Sequence, residues 1–297
     1  MGRTTAITAM VLGACAALPA EARDRQYVLE PTSDWVLDYA AERCTLVRRF
    51  GAGDEEVRLR IDSFGSWTGF RFLVAGEPVP NSRRPSGTTW VRFSPDTAER
   101  QLRSLHGESD DVPAVGFLHA FVPMAVKGVA PEEEPAANVD QYLALPSLVA
   151  FERDTRTVAL RFQNQDRIEL KVGSMAAPLK ALRTCVDDLH RSWGLEPATS
   201  RTLTRSAVPS AQTVSQVQRN YPFSMSVRGT SAYVPVRVVV DPAGTATSCV
   251  VQNEAANEEF KRAVCQGLAG GYAPALDAAG QPVTSVYQTS VIYMMGG

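Results

Sequence analysis

The sequence predicts an α+β protein in which a β-rich front region is closed by one long helix and followed by a small α+β unit. Three observations carry that expectation. Apolar residues alternate with polar ones in short runs across residues 26–171, which is how strands with one buried face read. An apolar stripe at three- and four-residue spacing occupies residues 175–193, the period of a helix. Beyond residue 221 come a strand, a turn, a returning strand, a helix and a long terminal strand. At 297 residues, 44% hydrophobic and 21% charged, the chain can bury a real core, and neither a disordered nor a fibrous protein fits.

The first segment is read as a leader and excluded from the fold. Arg3, an apolar run from Ala6 to Leu18 and a closing Ala20-Glu21-Ala22 make residues 1–22 a signal peptide. The run is well short of the ~20 apolar residues that cross a bilayer, so no transmembrane span is expected. Leu12-Gly13-Ala14-Cys15 also resembles a lipobox, so a second reading makes Cys15 a lipidated first residue.

In the β-rich domain, residues 23–194, strands are expected around Val57, Leu59 and Ile61, across Phe70 to Val74 and Trp90 to Phe93, then at Val158 to Phe162 and Ile168 to Val172. Gly51-Ala52-Gly53-Asp54, Pro80-Asn81-Ser82 and Asp154-Thr155 supply turns, the last able to close a hairpin. On the helix, Leu179, Leu182, Val186, Leu189 and Trp193 face inward, and Arg183, Asp187, Asp188 and Arg191 form a solvated face. Residues 195–220, rich in Ser and Thr with Pro197 and Pro209, read as a flexible linker. Residues 221–297 form the last domain.

There Val234, Val236, Val238 and Val240 alternate with Pro235, Arg237 and Val239, and Pro235 predicts an edge or bulge near the strand's start. Asp241-Pro242-Ala243-Gly244 reverses the chain. The helix carries Phe260, Val264 and Leu268 on one stripe, with Asn257 as N-cap and Gly270-Gly271 as its stop.

Of five cysteines, Cys15 lies in the leader, leaving Cys44, Cys185, Cys249 and Cys265. They are either free buried thiols or two disulfides, with three pairings open. A bond from Cys44, at the start of a strand, to Cys185, on the closing helix, would staple both ends of the β-rich domain.

Chemistry is sparse. His106, His119 and His190 sit beside no Ser or Cys in sequence as a nucleophile motif requires, and no GxSxG, HExxH or GxxxxGK[ST] occurs. Glu132-Glu133-Glu134 between Pro131 and Pro135 reads as a solvated loop. No catalytic residue, metal ligand or cofactor is assigned. A net charge of -2 gives no electrostatic ground for nucleic acid or anionic lipid as partner.

The motifs from Tyr221-Pro222 onward resemble the C-terminal domain of TonB-type energy transducers. The resemblance rests on that opening, the strand–turn–strand–helix order, Tyr272-Ala273-Pro274-Ala275 as an aromatic-x-Pro-Ala signature, Gly280-Gln281-Pro282-Val283 and the long last strand. It covers about 77 residues. The front half is similar to the N-terminal region of TonB-like proteins of Gram-negative bacteria through Ala181-Leu182-Arg183-Thr184-Cys185 and Ser192-Trp193-Gly194, which implies co-occurrence and no mechanism. The resemblance implies a periplasmic location and a Cys249–Cys265 disulfide. With a flexible linker between domains, both bonds are expected within domains. It also implies a protein partner, a segment of an outer-membrane transporter, that pairs beside the last strand at Tyr287, Gln288, Thr289, Ser290 and Val291. Self-association through the same edge is the alternative. The expected function is an exported periplasmic adaptor rather than an enzyme. A true transducer would need a membrane anchor and a longer, stiffer spacer, and a hydrolase with an unrecognised site is the remaining alternative.

Overall fold

The computed structural model describes residues 24–294 apart from 83, 85, 95–96, 118–144 and 254–255, with the side chains of residues 145–149 also left undescribed. The leader with Cys15, His119 and the acidic run at residues 132–134 lie outside the described residues.

The period-two runs of the front half become strands β1 (Gln26–Leu29), β2 (Val36–Ala40), β3 (Arg43–Phe50), β4 (Val57–Ser63), β5 (Arg71–Ala75), β6 (Ser86–Phe93), β7 (Arg100–Ser109) and β8 (Val112–Phe117). After helix α1 (Leu145–Asp154), β9 (Val158–Arg161) and β10 (Arg167–Leu170) complete a ten-stranded sheet in the order β1-β10-β9-β6-β7-β8-β5-β4-β3-β2. Every neighbouring pair is antiparallel except β1 with β10. The two outer strands are consecutive stretches of chain, and the residues between them carry pairing from one edge to the other. Pro31 bridges Phe50, Thr32 N donates to Arg49 O at 2.9 Å and Gly51 N donates to Glu30 O at 2.9 Å. These contacts tie the β1 end of the sheet back to β3, while β2 pairs with β3 alone.

Its inner face buries Leu46, Phe50, Leu59, Ile61, Phe70, Leu160, Ile168 and Leu170. The helix α2 (Ala176–Ser192) covers that face with Leu179, Leu182, Val186 and Leu189, matching the expected stripe. A disulfide joins Cys185 of α2 to Cys44 of β3, with Cα atoms 6.0 Å apart.

Two expectations for this half are corrected. Asp154-Thr155 closes no hairpin: it ends α1, where Thr155 Oγ1 donates to Phe151 O at 2.9 Å before the chain turns into β9. The far side of α2 is solvated only in part. Glu152 of α1 is buried and forms a two-pronged ion pair with Arg183, whose Nη1 lies 2.9 Å from Glu152 Oε2. Asp187 accepts from Trp67 Nε1 at 2.7 Å and pairs with Arg201. Asp188 and Arg191 are exposed and pair with each other. The carboxylate arriving on α1, distant in sequence, turns a charged helix face into a contact.

Residues 195–220 are likewise not a structureless tether. They contain α3 (Pro197–Arg201), β11 (Val208–Pro209) and α4 (Ala211–Arg219). Ser210 caps α4 by accepting from Thr213 N at 3.2 Å. β11 pairs with β14 (Tyr272–Ala273), and α4 lies against α6 (Glu258–Leu268). That helix contact needs little apolar bulk because Gly267 lets the backbones meet: a Cβ there would stand 2.8 Å from Val217 Cα.

A second core follows. After the short helix α5 (Phe223–Val227), β12 (Ala232–Val240) stands between β13 (Ala246–Val251) and β17 (Ser285–Tyr293), with the small pair β15 (Ala275–Leu276) and β16 (Pro282–Val283) beside them. Val234, Val236, Val238 and Val240 pack against Phe260, Val264 and Leu268 of α6, which Asn257 caps by accepting from Glu259 N at 2.8 Å. Cys249 of β13 is bonded to Cys265 of α6, with Cα atoms 5.6 Å apart. β12 is the central strand, not an edge. Pro235 is accommodated because β13 ends at Val251: the Pro235 carbonyl accepts from Gln252 N at 2.8 Å, and its missing N–H faces that same side, past the end of the ladder.

Candidate interaction strand and the surface that holds it

β17 pairs with β12 over its whole length, Tyr293 opposite Ala232 to Ser285 opposite Val240. On its other side it has no strand partner among the described residues. The register fixes which backbone groups point there. In an antiparallel ladder, residues directly opposite each other either exchange both hydrogen bonds or both turn away. The Pro235 carbonyl is turned to the β13 side, so its partner Ser290 also turns its N–H and C=O away from β12. By alternation, Val286, Gln288 and Ile292 do the same, and Tyr287, Thr289 and Val291 bond to β12.

The same alternation sorts the side chains. Tyr287 and Val291 pack on the second core, where the Tyr287 ring lies 5.5 Å from that of Tyr272. Burial raises the hydroxyl pKa of Tyr287 and of Tyr272, and that of Tyr293 to about 12, so the phenols on this face stay neutral. Gln288 and Ser290 point to the opposite face, which lies against the front core. The five expected strand residues therefore divide between two surfaces.

The front core meets that face with the β2–β3 turn, the segment joining β4 to β5 and the end of α2. Arg237 of β12 makes a two-pronged pair with Glu42, at 2.8 and 2.7 Å, and lies 4.5 Å over the Trp193 ring. Gln252 Nε2 donates to Phe64 O at 2.9 Å and to Glu42 O at 3.2 Å, and Gln288 Nε2 donates to the same Phe64 carbonyl. Arg71 donates to Ser290 Oγ and its guanidinium lies between the rings of Phe64, at 4.5 Å, and Tyr233, at 5.0 Å. Burial lowers the Arg71 pKa and raises that of Tyr233, and Arg71 Nη1 is buried with no hydrogen-bond partner. Gly65 allows the close approach. Its φ is +119°, and a Cβ there would stand 2.7 Å from the Trp193 ring and nearer still to Gln288 Nε2. His190 of α2 fixes this glycine through a 2.8 Å contact between its Nε2 and Gly65 O.

No family model, curated protein or solved structure matches this chain.

Elsewhere, His106 Nε2 lies 3.0 Å from Ser104 Oγ, a pairing that the two-residue spacing on one strand produces and the motif search passed over. Ser104 is sealed in the sheet and hydrogen-bonded to Thr89, at 3.0 Å, so it presents no nucleophile. Among the described residues, no three His, Cys, Asp or Glu side chains converge as a metal site would need.

The sequence alone assigns Glu42, Gly65, Arg71, Tyr233 and Gln252 no role at this face, Arg71 and Tyr233 entering only as residues of expected strands. One signal was available. Arg237 interrupts a valine-rich strand, and a charge in a central strand needs a partner beyond its own sheet.

Proposed function

We propose that the chain is an exported periplasmic adaptor whose residues from 221 onward, with β11 and α4 packed on them, form a TonB C-terminal-like interaction domain docked on a β-rich front domain. Its partner is a protein that adds an extended segment beside β17. The observation that supports this reading is the row of outward-facing backbone groups at Val286, Gln288, Ser290 and Ile292 on a nine-residue strand that has no strand partner on that side among the described residues. Such an edge takes another strand through main-chain hydrogen bonds, and alternate side chains supply selectivity. The motif order of the second core supports the family reading. Two disulfides fit an oxidising compartment, and no helix among the described residues is long and apolar enough to cross a membrane.

A photo-crosslinking residue at Val286 in the full chain, irradiated in a periplasmic extract, tests the reading. Cross-links are expected to fall on one extended segment of a partner and to disappear when Ser290→Pro is added, because proline has no N–H to donate. Cross-links that persist unchanged in the Ser290→Pro variant would overturn it.

A further inference from the structure

We infer that the front core is an intramolecular cover for β17, so that a partner strand gains access only when the two cores separate. The inference rests on the strand reading above. The residues whose backbones face the open edge, Gln288 and Ser290, are the ones whose side chains the front core holds, through Phe64 O and Arg71. A strand added at that edge would set its own residues opposite these two with side chains on the same face. There it would meet the segment between β4 and β5, whose Gly65 lies against the Gln288 side chain and whose Phe64 carbonyl holds it.

The contact is also built to be released. It contains several polar contacts: the Arg237–Glu42 pair, two glutamine side chains on one carbonyl and the Arg71–Ser290 bond. Arg71 is desolvated there with one nitrogen unsatisfied, a cost that falls on the closed form alone. Wholly apolar contacts bind without such a penalty. The two cores each keep their own disulfide and their own buried cluster, so neither depends on the contact for its packing. A closed form populated about a hundredfold over the open one weakens the apparent affinity of a strand ligand by the same factor.

The test uses the full chain and a fluorescein-labelled peptide copying residues 285–293, an extended segment of committed strand propensity. Glu42→Lys sets a like charge against Arg237 and should open the contact, seen as faster amide exchange at residues 64–69. Its peptide affinity should rise at least about tenfold over the parent. Glu42→Lys with Arg237→Glu restores an opposite-charge pair and should return the affinity toward the parent value. Adding Ser290→Pro to Glu42→Lys should abolish binding. If the opened variant and the parent bind equally well, the cover is refuted and the edge reading stands. If neither the parent nor the opened variant binds, the edge reading fails and the cover fails with it.

Discussion

Pro235 and Ser290 stand opposite each other in the β12–β17 ladder with both backbones turned away, so Ser290 directs its N–H outward and its neighbour Thr289 directs its own toward β12. Proline at these adjacent positions should therefore act differently. Thr289→Pro removes a ladder bond and should cost the second core about 1–3 kcal/mol. Ser290→Pro keeps the ladder and loses contacts with Arg71 and Tyr233. Amide exchange across β12 checks this: faster for Thr289→Pro and near the parent for Ser290→Pro. Equal effects would disprove the register.

Gly65→Ala should push the cores apart. The added methyl meets Trp193 and Gln288, and the positive φ is strained for any side chain. Small-angle scattering should show an expanded molecule while each core keeps its own cooperative unfolding. An unchanged radius of gyration would contradict the packing described.

Glu152→Ala should cost about 3–5 kcal/mol, because it leaves the Arg183 guanidinium with a buried, uncompensated charge. Burial pushes the Glu152 carboxyl pKa up and the Arg183 bond draws it back. Replacing the pair together, Glu152→Leu with Arg183→Met, should recover most of the loss. Denaturant titration measures both, and a single-variant loss below ~1 kcal/mol would show that the pair is solvated.

The disulfides should differ in weight. The Cys44–Cys185 bond spans 141 residues and the Cys249–Cys265 bond 16, so in the chain-entropy model the first stabilises by up to ~5 kcal/mol and the second by about 3. Paired Cys→Ser variants compared by chemical denaturation test the ranking. The reverse order would mean that residual unfolded-state structure outweighs loop length.

Burial lowers the His106 pKa. A histidine whose folded pKa is below its unfolded value of ~6.5 binds more protons when unfolded, so its stabilising contribution is complete above that pH. It is lost as pH falls from ~6.5 toward the folded pKa. His106→Gln should therefore show a shallower fall in thermal midpoint between pH 7.5 and 5 than the parent. Parallel curves would exclude His106 as the source.

What the sequence disclosed follows the range of the interaction. Strands whose burial alternates, such as β4 with Val57, Leu59 and Ile61, were legible because one face meets one core. The order of elements in the second core was legible too, since caps and turns such as Asn257 and Asp241-Pro242-Ala243-Gly244 act locally. Helix α4 was missed because small residues, Gly267 and Gly270, do the work that apolar bulk does elsewhere. α1 was missed because its short apolar run shows no decisive period. The docking face was invisible for a different reason. Its acceptor is the backbone carbonyl of Phe64, which carries no side-chain signature, and its partners lie 188 and 224 residues away.

The route by which the ends of the front sheet are joined has a consequence for the order of folding. β1 finds its partner in β10, and Cys44 finds its own in Cys185, each 141 residues later. No stretch shorter than that can join the ends of the sheet, so in a growing chain β1 lacks β10 until residue 170 has been made, and Cys44 lacks its partner until α2 has. High contact order of this kind delays folding. The Cys44–Cys185 bond can lock the sheet only after α2 arrives.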